Sequence, residues 1–229
     1  DWLALRFVEQ GWSMKAMHRT LMLSNTYRMS SQYNAKAAEA DPENELLWRM
    51  PRRRLEAEEI RDGIMSVSGA LRLDMGGSIL KYKDRQYVAN TTKGGEVDYD
   101  RPIRTVYVPV VRSSLYDVLR AFDLPDPAMS SGSRDSTVVA PQALFMMNSP
   151  VMLTHSLADS LLQRAGDSDA ARIREAYERA LSRPPTAQEI DRALTYLARF
   201  ATEWKGDRRH AWQSFCKSLL ASSEFAYLN

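Results

Sequence analysis

Cysteine is almost absent from this sequence: Cys216 is the only one among 229 residues, so no intrachain disulfide can form. The sequence also has no CxxCH, CxxC or HExxH pattern, which leaves haem attachment and zinc binding without support. A lone cysteine is usual in a reducing compartment, but an exported chain of this size needs no disulfide because it can bury a large core. The cysteine content therefore leaves the compartment open.

Long apolar runs and a strong charge excess are lacking as well. No stretch of about 18 consecutive apolar residues occurs, so we expect no membrane-spanning helix. Lys and Arg number 31 against 29 Asp and Glu, and a net charge of +2 argues against a nucleic-acid surface. The chain starts at Asp1 without Met, which we interpret as a fragment or processed piece, so the lack of a signal peptide is uninformative.

Apolar residues at helical spacing predict helices over the N-terminal third. Residues 2–8 form an amphipathic first helix that Gly11 can end, and Ser13 is a good N-cap for a second helix. The charged stretch from Trp48 to Leu71 predicts a third helix, with an apolar stripe that begins at Ile60. This stretch, which we expect to organise the chain, mixes arginines with Glu and Asp.

The middle of the chain changes character. Residues 79–82, 86–91 and 105–111 are short and rich in β-branched and aromatic side chains, a composition typical of strands. We therefore expect a small antiparallel β-sheet inserted between helices, at about residues 79–111. The two prolines of the following segment, residues 122–127, predict a rigid turn.

The C-terminal part returns to helical patterns. Pro141 suits the first turn of one helix, and Thr186 with Glu189 forms a capping box for another. We predict a mainly α protein, a multi-helix bundle with the small sheet inserted. The expected organisation is a single domain, 1–229, with N-terminal helices at 1–75, the β insertion at 76–112 and a helical bundle at 113–229.

Two charged groups are the candidates for a functional site. In the stretch after Trp48, an arginine and carboxylate cluster can clamp an anionic ligand, or it is a solvated helix face with i,i+4 ion pairs. In the 112–135 segment, paired aspartates can act as acid and base or bind calcium, or they only build turns. The candidate ligand-binding residues are Arg52, Arg54, Glu58, Arg61, Asp62, Arg112, Asp123, Asp126, Arg134, Gln142 and Asn148.

Several motifs together resemble a known family. They are GWSMKAMHRTLMLSNTYRMSS, DPENELLWRMPRRRLEAEEIRDGIMSVSGAL, FDLPDPAMSSGSRDSTVVAPQALFMMNSP, ALSRPPTAQEI and SLLASSEFAYLN. The chain resembles the planctomycete-type domain of unknown function 1553, also called the PSD1 domain. The resemblance implies an extracytoplasmic setting, periplasmic or at the cell surface, and a multidomain parent whose upstream part often carries a cytochrome-like domain. It implies no reaction and no catalytic residues.

Two hypotheses of function follow. The first is a non-catalytic accessory module of a secreted multidomain protein, which binds the upstream domains, another partner protein or a surface glycan. The second is a carbohydrate-active hydrolase or lyase that uses Asp, Glu and Arg of the 49–62 helix and the 122–135 loop. We expect no metal and no cofactor in this chain, haem being confined to an upstream domain, and no nucleic-acid partner.

Overall fold

The computed structural model of the chain describes residues 1–75, 99–112, 115–149, 156–163, 168–203 and 207–228. The chain divides into two compact units. The first unit is Asp1–Arg53 with Tyr227–Asn229, and the second is Arg54–Ala226.

The first unit contains three short helices, α1 (Trp2–Glu9), α2 (Met14–Met22) and α3 (Ala35–Ala40). Gly11 follows α1 with a φ of +65°, a left-handed conformation that suits glycine and ends the helix as predicted. The Ser13 hydroxyl accepts a hydrogen bond from the Ala16 N–H at 3.3 Å, which confirms Ser13 as the N-cap of α2. Neither α1 nor α2 has a buried residue.

The second unit begins around α4 (Ala57–Ser68). The Glu59 carboxylate accepts the Glu56 N–H at 2.8 Å at the start of the helix, and Gly69 ends it with a φ of +80°. The predicted helix from Trp48 is therefore wrong over its first nine residues. Pro51 lies in this stretch and has no N–H to donate within a helix. In the loop before Pro51, the Asn44 side chain hydrogen-bonds to the N–H and the carbonyl of Arg49.

The α4 stripe is buried as predicted. Ile60 and Ile64 have no exposed surface, and they belong to one core with residues of the helices that follow. Those helices are α5 (Asp117–Ala121), α6 (Ala140–Asn148), α7 (Leu157–Leu162), α8 (Asp169–Leu181), α9 (Ala187–Glu203), α10 (Arg208–Leu220) and α11 (Ser223–Ala226). Trp212 of α10, 1% exposed, packs at right angles to Phe215 inside this core.

The fold class is confirmed: the described part of the chain is mainly helical, with a small antiparallel sheet of two strands. The sheet pairs β1 (Arg53–Arg54) with β2 (Tyr227–Leu228). The predicted strands at 79–82 and 86–91 lie outside the described residues. The strand expected at 105–111 is wrong, because Thr105–Tyr107 forms a 3₁₀ turn whose position is set by α4.

In the described ranges, no helix is both long and apolar enough to cross a membrane.

Candidate functional site

The first charged cluster joins Arg54 to the turn that follows α5. Arg54 Nη2 lies 2.6 Å from Asp123 Oδ2, and only 5% of the Arg54 side chain is exposed. Thr137 donates its N–H at 2.8 Å and its hydroxyl at about 2.9 Å to the same carboxylate, and the Gln142 amide lies beside it at 3.5 Å. We call Arg54, Asp123, Thr137 and Gln142 the Asp123 cluster.

Local backbone geometry explains how Asp123 reaches Arg54. Asp123 has a φ of +61°, a left-handed conformation that aspartate tolerates better than most residues. This conformation ends the helical path of the chain just after α5. The prolines that follow keep the segment from continuing as a helix. The chain therefore turns after α5, and the turn places one carboxylate against a buried guanidinium.

Burial makes the Arg54 contact energetically important. The guanidinium lies 5.3 Å from the ring centroid of Phe122, and its Nε and Nη1 atoms have no hydrogen-bond partner among the described residues. A buried arginine is costly unless a carboxylate balances its charge, and removal of one partner from such a pair costs about 3–5 kcal/mol. Arg54 and Asp123 therefore fix the chain after α5 against the start of the second unit.

The second cluster, which we call the Arg134 cluster, lies at the start of α4. Arg134 donates to Glu58 with two nitrogens, at 2.7 and 2.9 Å, and to Glu56 at 2.9 Å. The hydrogen bond from Arg134 holds the pKa of the Glu58 carboxyl below its ordinary value, against the opposing effect of partial burial. All three side chains keep at least 29% of their surface exposed, so each pair contributes about 0.2–1 kcal/mol.

One loop connects the two clusters. Arg134 contacts Glu56 and Glu58, and Thr137, three residues later, contacts Asp123. The same short segment therefore contacts the carboxylates of both Glu58 and Asp123. The arrangement ties a loop to α4 and α5 through ion pairs and hydrogen bonds.

Arg61 and Asp62 have a different role, as the anchor for residues 99–105. The Arg61 side chain is fully buried and donates to the carbonyls of Tyr99, Arg101 and Ile103, each at 2.8 Å. The Asp62 carboxylate accepts the Thr105 N–H at 2.8 Å and its hydroxyl at 2.5 Å. These bonds pull the chain into the 3₁₀ turn, which explains why the predicted strand does not form.

The remaining candidates do not join either cluster. Arg52 and Arg112 are exposed, and no side-chain hydrogen bond joins them to another described residue. The Asp126 carboxylate accepts the Ala128 N–H at 2.8 Å, and the Asn148 amide donates to the Leu144 carbonyl at 2.9 Å. Asp126 and Asn148 therefore bond to backbone groups within four residues, and for Asp126 this is the turn-building alternative that the sequence left open.

Sequence reasoning missed several residues that matter. Glu56 and Thr137 complete the two clusters, and Thr105 bridges Arg61 and Asp62. A further network joins Arg183 to Glu189 and Glu224. For Glu56, Thr105 and Thr137 the only signal in the sequence is the Glu56–Glu59 spacing at a helix start, since their contacts with the candidate residues span 14 to 78 residues.

The chemistry open to these clusters is limited. In the part of the chain that the structure describes, no three His, Cys, Asp or Glu side chains are placed to hold a metal ion. The guanidinium groups of Arg54 and Arg134 donate hydrogen bonds to the Asp123 and Glu58 carboxylates. This arrangement suits cross-linking of elements better than proton donation to a substrate.

The fold and the clusters define a mainly helical module in which paired arginines and carboxylates hold the loops to the core. The chain belongs to the PSD1 family, described as protein of unknown function (DUF1553), whose model matches residues 1–197. Neither the comparison with curated proteins nor the comparison with solved structures gives a match.

Proposed function

We propose that this chain is a non-catalytic module of an exported multidomain protein, and that it binds another domain of the same parent through α1 and α2. The observation that carries the proposal is the exposure of large apolar side chains on both helices. Trp2, Leu5 and Val8 follow each other at a spacing of three residues, which places them along one side of α1. Each is more than half exposed.

The second helix continues this apolar surface. Met14 and Leu21 are seven residues apart, so they share a face of α2, and Met22 beside them is 54% exposed. Trp12, in the connection between the helices, is 67% exposed. We call the exposed apolar side chains of α1, α2 and their connection the α1–α2 surface.

Exposed apolar groups at this density indicate an interaction surface. A large apolar side chain contributes about 1.5–3 kcal/mol when it moves from water into a packed interface. A soluble monomer seldom leaves several such residues grouped together unless a partner covers them. The family resemblance suggests the partner, because the parent proteins carry a further domain upstream of this one. A surface glycan is a less suitable occupant, since the surface offers few polar groups.

The test replaces two exposed residues of the surface and measures binding to the upstream part of the parent. Leu5→Glu with Trp12→Glu should weaken binding by at least about tenfold, since each change puts a charge into an apolar contact. Leu144→Glu, on the exposed side of α6, is the matched control and should bind as the unchanged chain does. Equal binding by both variants would refute the assignment of this surface.

Less supports the second candidate, a carbohydrate hydrolase or lyase. The shared loop of the two clusters is in its favour, because it groups Glu58 and Asp123. The contacts of both carboxylates count against it. Arg134 lowers the pKa of the Glu58 carboxyl, whereas a general acid must hold a proton at working pH, and Arg54 and Thr137 already occupy the Asp123 carboxylate. Incubation of the chain with neutral and acidic polysaccharides tests this candidate. Product formation that Glu58→Gln abolishes, with the fold intact, would overturn the non-catalytic assignment.

A further inference from the structure

The first unit contains a concave pocket that shares no lining residue with the two charged clusters. It has a volume of about 420 Å³ and is lined by Pro42, Glu43, Asn44, Arg49, Met50, Pro51 and Arg52. We call it the Arg49 pocket. Its volume lies in the range of small-ligand sites, about 300–1,000 Å³. Two arginines and one glutamate line it, so its formal charge is +1.

The loop that forms the pocket is held by its own side chains. The Asp41 carboxylate accepts the N–H groups of Glu45 and Leu46 at 3.0 and 2.8 Å, and the Trp48 indole donates to the Asp41 carbonyl at 2.8 Å. The Asn44 amide bonds both the carbonyl and the N–H of Arg49, which joins the two walls of the pocket. The walls are therefore set before any ligand arrives.

Aromatic rings fix the orientation of the Arg49 guanidinium. It lies 4.8 Å from the Trp48 ring centroid and 5.8 Å from that of Tyr33. Contacts of this kind occupy the face of a guanidinium and leave its in-plane N–H donors open. No carboxylate of the described residues forms an ion pair with Arg49 or Arg52. In the two charged clusters, by contrast, Arg54 and Arg134 are each paired with a carboxylate.

From these observations we propose that the Arg49 pocket binds an oxyanion: the carboxylate, sulfate or phosphate group of a small polar ligand or of a sugar residue. Arg49 supplies donors from a preoriented guanidinium, and Arg52 supplies a second positive charge at the rim. Because the donors are already held, little ordering cost opposes binding. The site is separate from the α1–α2 surface, so it stands or falls independently of the proposed function.

The test is an NMR titration of the whole chain with five probes at constant ionic strength. The probes are sulfate, phosphate, glucuronate, a glucuronate-containing oligosaccharide and a sulfated oligosaccharide. We expect saturable shifts of the backbone amides of residues 43, 44, 49, 50 and 52 with at least one probe. Constant ionic strength is essential because salt screens charge contacts of this exposure. Saturation by free sulfate or phosphate would indicate a site for a free oxyanion. Saturation only by the sugar probes would indicate a site for an oxyanion carried by a sugar.

Variants make the result specific. Arg49→Gln and Arg52→Gln should each weaken binding by about tenfold, since each removes one charged donor. Arg52 is exposed and its side chain forms no hydrogen bond or ion pair with another described residue, so its variant tests the pocket even if Arg49→Gln disturbs the loop. Arg28→Gln, an exposed position outside the pocket, removes the same charge and should leave binding unchanged. The proposal is overturned if no probe saturates these amides, or if Arg28→Gln weakens binding equally.

Discussion

Individual residues in this protein act mainly as anchors for distant loops. Arg61 shows this most clearly, because a fully buried guanidinium satisfies three backbone carbonyls 38 to 42 residues away. It also lies 5.7 Å from the ring centroid of Tyr116, which in turn stacks on Tyr99. Arg61 thus makes most of the side-chain contacts that hold residues 99–105, and Asp62 adds two hydrogen bonds to Thr105.

Replacement of Arg61 should therefore destabilise the fold strongly. Arg61→Ala leaves buried carbonyls without donors, and we expect a loss of about 3 kcal/mol or more in the free energy of unfolding. Thr105→Val, which removes only the hydroxyl between Arg61 and Asp62, should cost about 1 kcal/mol. Urea denaturation at neutral pH measures both. A loss below about 1 kcal/mol for Arg61→Ala would contradict the anchoring role.

The single cysteine gives a second prediction at this scale. Cys216 is 2% exposed in the core, and burial raises the pKa of its thiol well above the usual range. The native chain should therefore resist alkylation at pH 8, whereas the chain in denaturant should react fully within the same time. The measurement is mass spectrometry after a timed pulse of iodoacetamide. Rapid, complete labelling of the native chain would contradict this prediction, because it would show that the reagent reaches Cys216 in the folded core.

At the scale of elements, a charged network joins the turn after α8 to α9 and α11. Arg183 donates to the Glu189 carboxylate at 2.8 and 3.0 Å and to Glu224 at 2.5 and 2.9 Å. Glu189 also accepts from the Thr186 N–H at 2.7 Å, which confirms the predicted capping box. The connection between α8 and α9 thus has both a local cap and a long-range ion pair.

The network makes stability depend on pH in a defined direction. The hydrogen bond from Arg183 lowers the pKa of Glu189 from 4.5 to about 2. A folded-state pKa below the unfolded value stabilises the protein above pH 4.5, and this contribution is lost as the pH falls towards 2. Glu189→Gln should therefore destabilise the chain at pH 7 and have little effect near pH 2.

Urea denaturation at several pH values measures this difference. Glu178→Gln, an exposed substitution on α8, is the control, and it should show no such pH dependence. A Glu189→Gln defect of equal size at pH 7 and near pH 2 would show that the glutamate acts through packing or the cap alone.

Local signals in the sequence were enough to predict several helix ends. Ser13, Pro141 and the Thr186–Glu189 pair act on backbone groups within four residues, so their effect can be derived from the sequence. The start of α4 was misplaced because a charged, helix-compatible composition hid the loop before Pro51. The 105–111 segment was misassigned because Arg61 and Asp62, more than 40 residues earlier, bond to its first residue, Thr105, where the 3₁₀ turn begins.

The candidate site was predictable to a similar degree. Arg54, Glu58, Asp123, Arg134 and Gln142 were singled out by their charge or amide chemistry, and the structure groups them in two linked clusters. The sequence could not show which arginine meets which carboxylate, because those contacts span 69 and 76 residues. The sequence also could not show that Arg54 pairs with a carboxylate whereas Arg49 does not, because this difference depends on the residues that surround each arginine in the fold.

At the scale of the whole molecule, the two units differ in how they use apolar residues. The second unit buries many apolar residues, in one cluster that runs from α4 to α11 and in a smaller one within residues 99–111. The first unit leaves the apolar residues of α1 and α2 at the surface. The proposed partner explains this contrast. A domain that covers α1 and α2 would bury the apolar side chains that the first unit leaves exposed.

Hydrogen–deuterium exchange tests this central claim most directly, by comparing the isolated chain with the intact parent protein. If another domain covers the α1–α2 surface, the amides of residues 2–22 should exchange much more slowly in the parent. The amides of α8 and α10 should exchange alike in both and serve as the internal reference. Equal exchange of residues 2–22 in the two samples would contradict the account, because it would leave the exposed apolar surface without the partner that we propose.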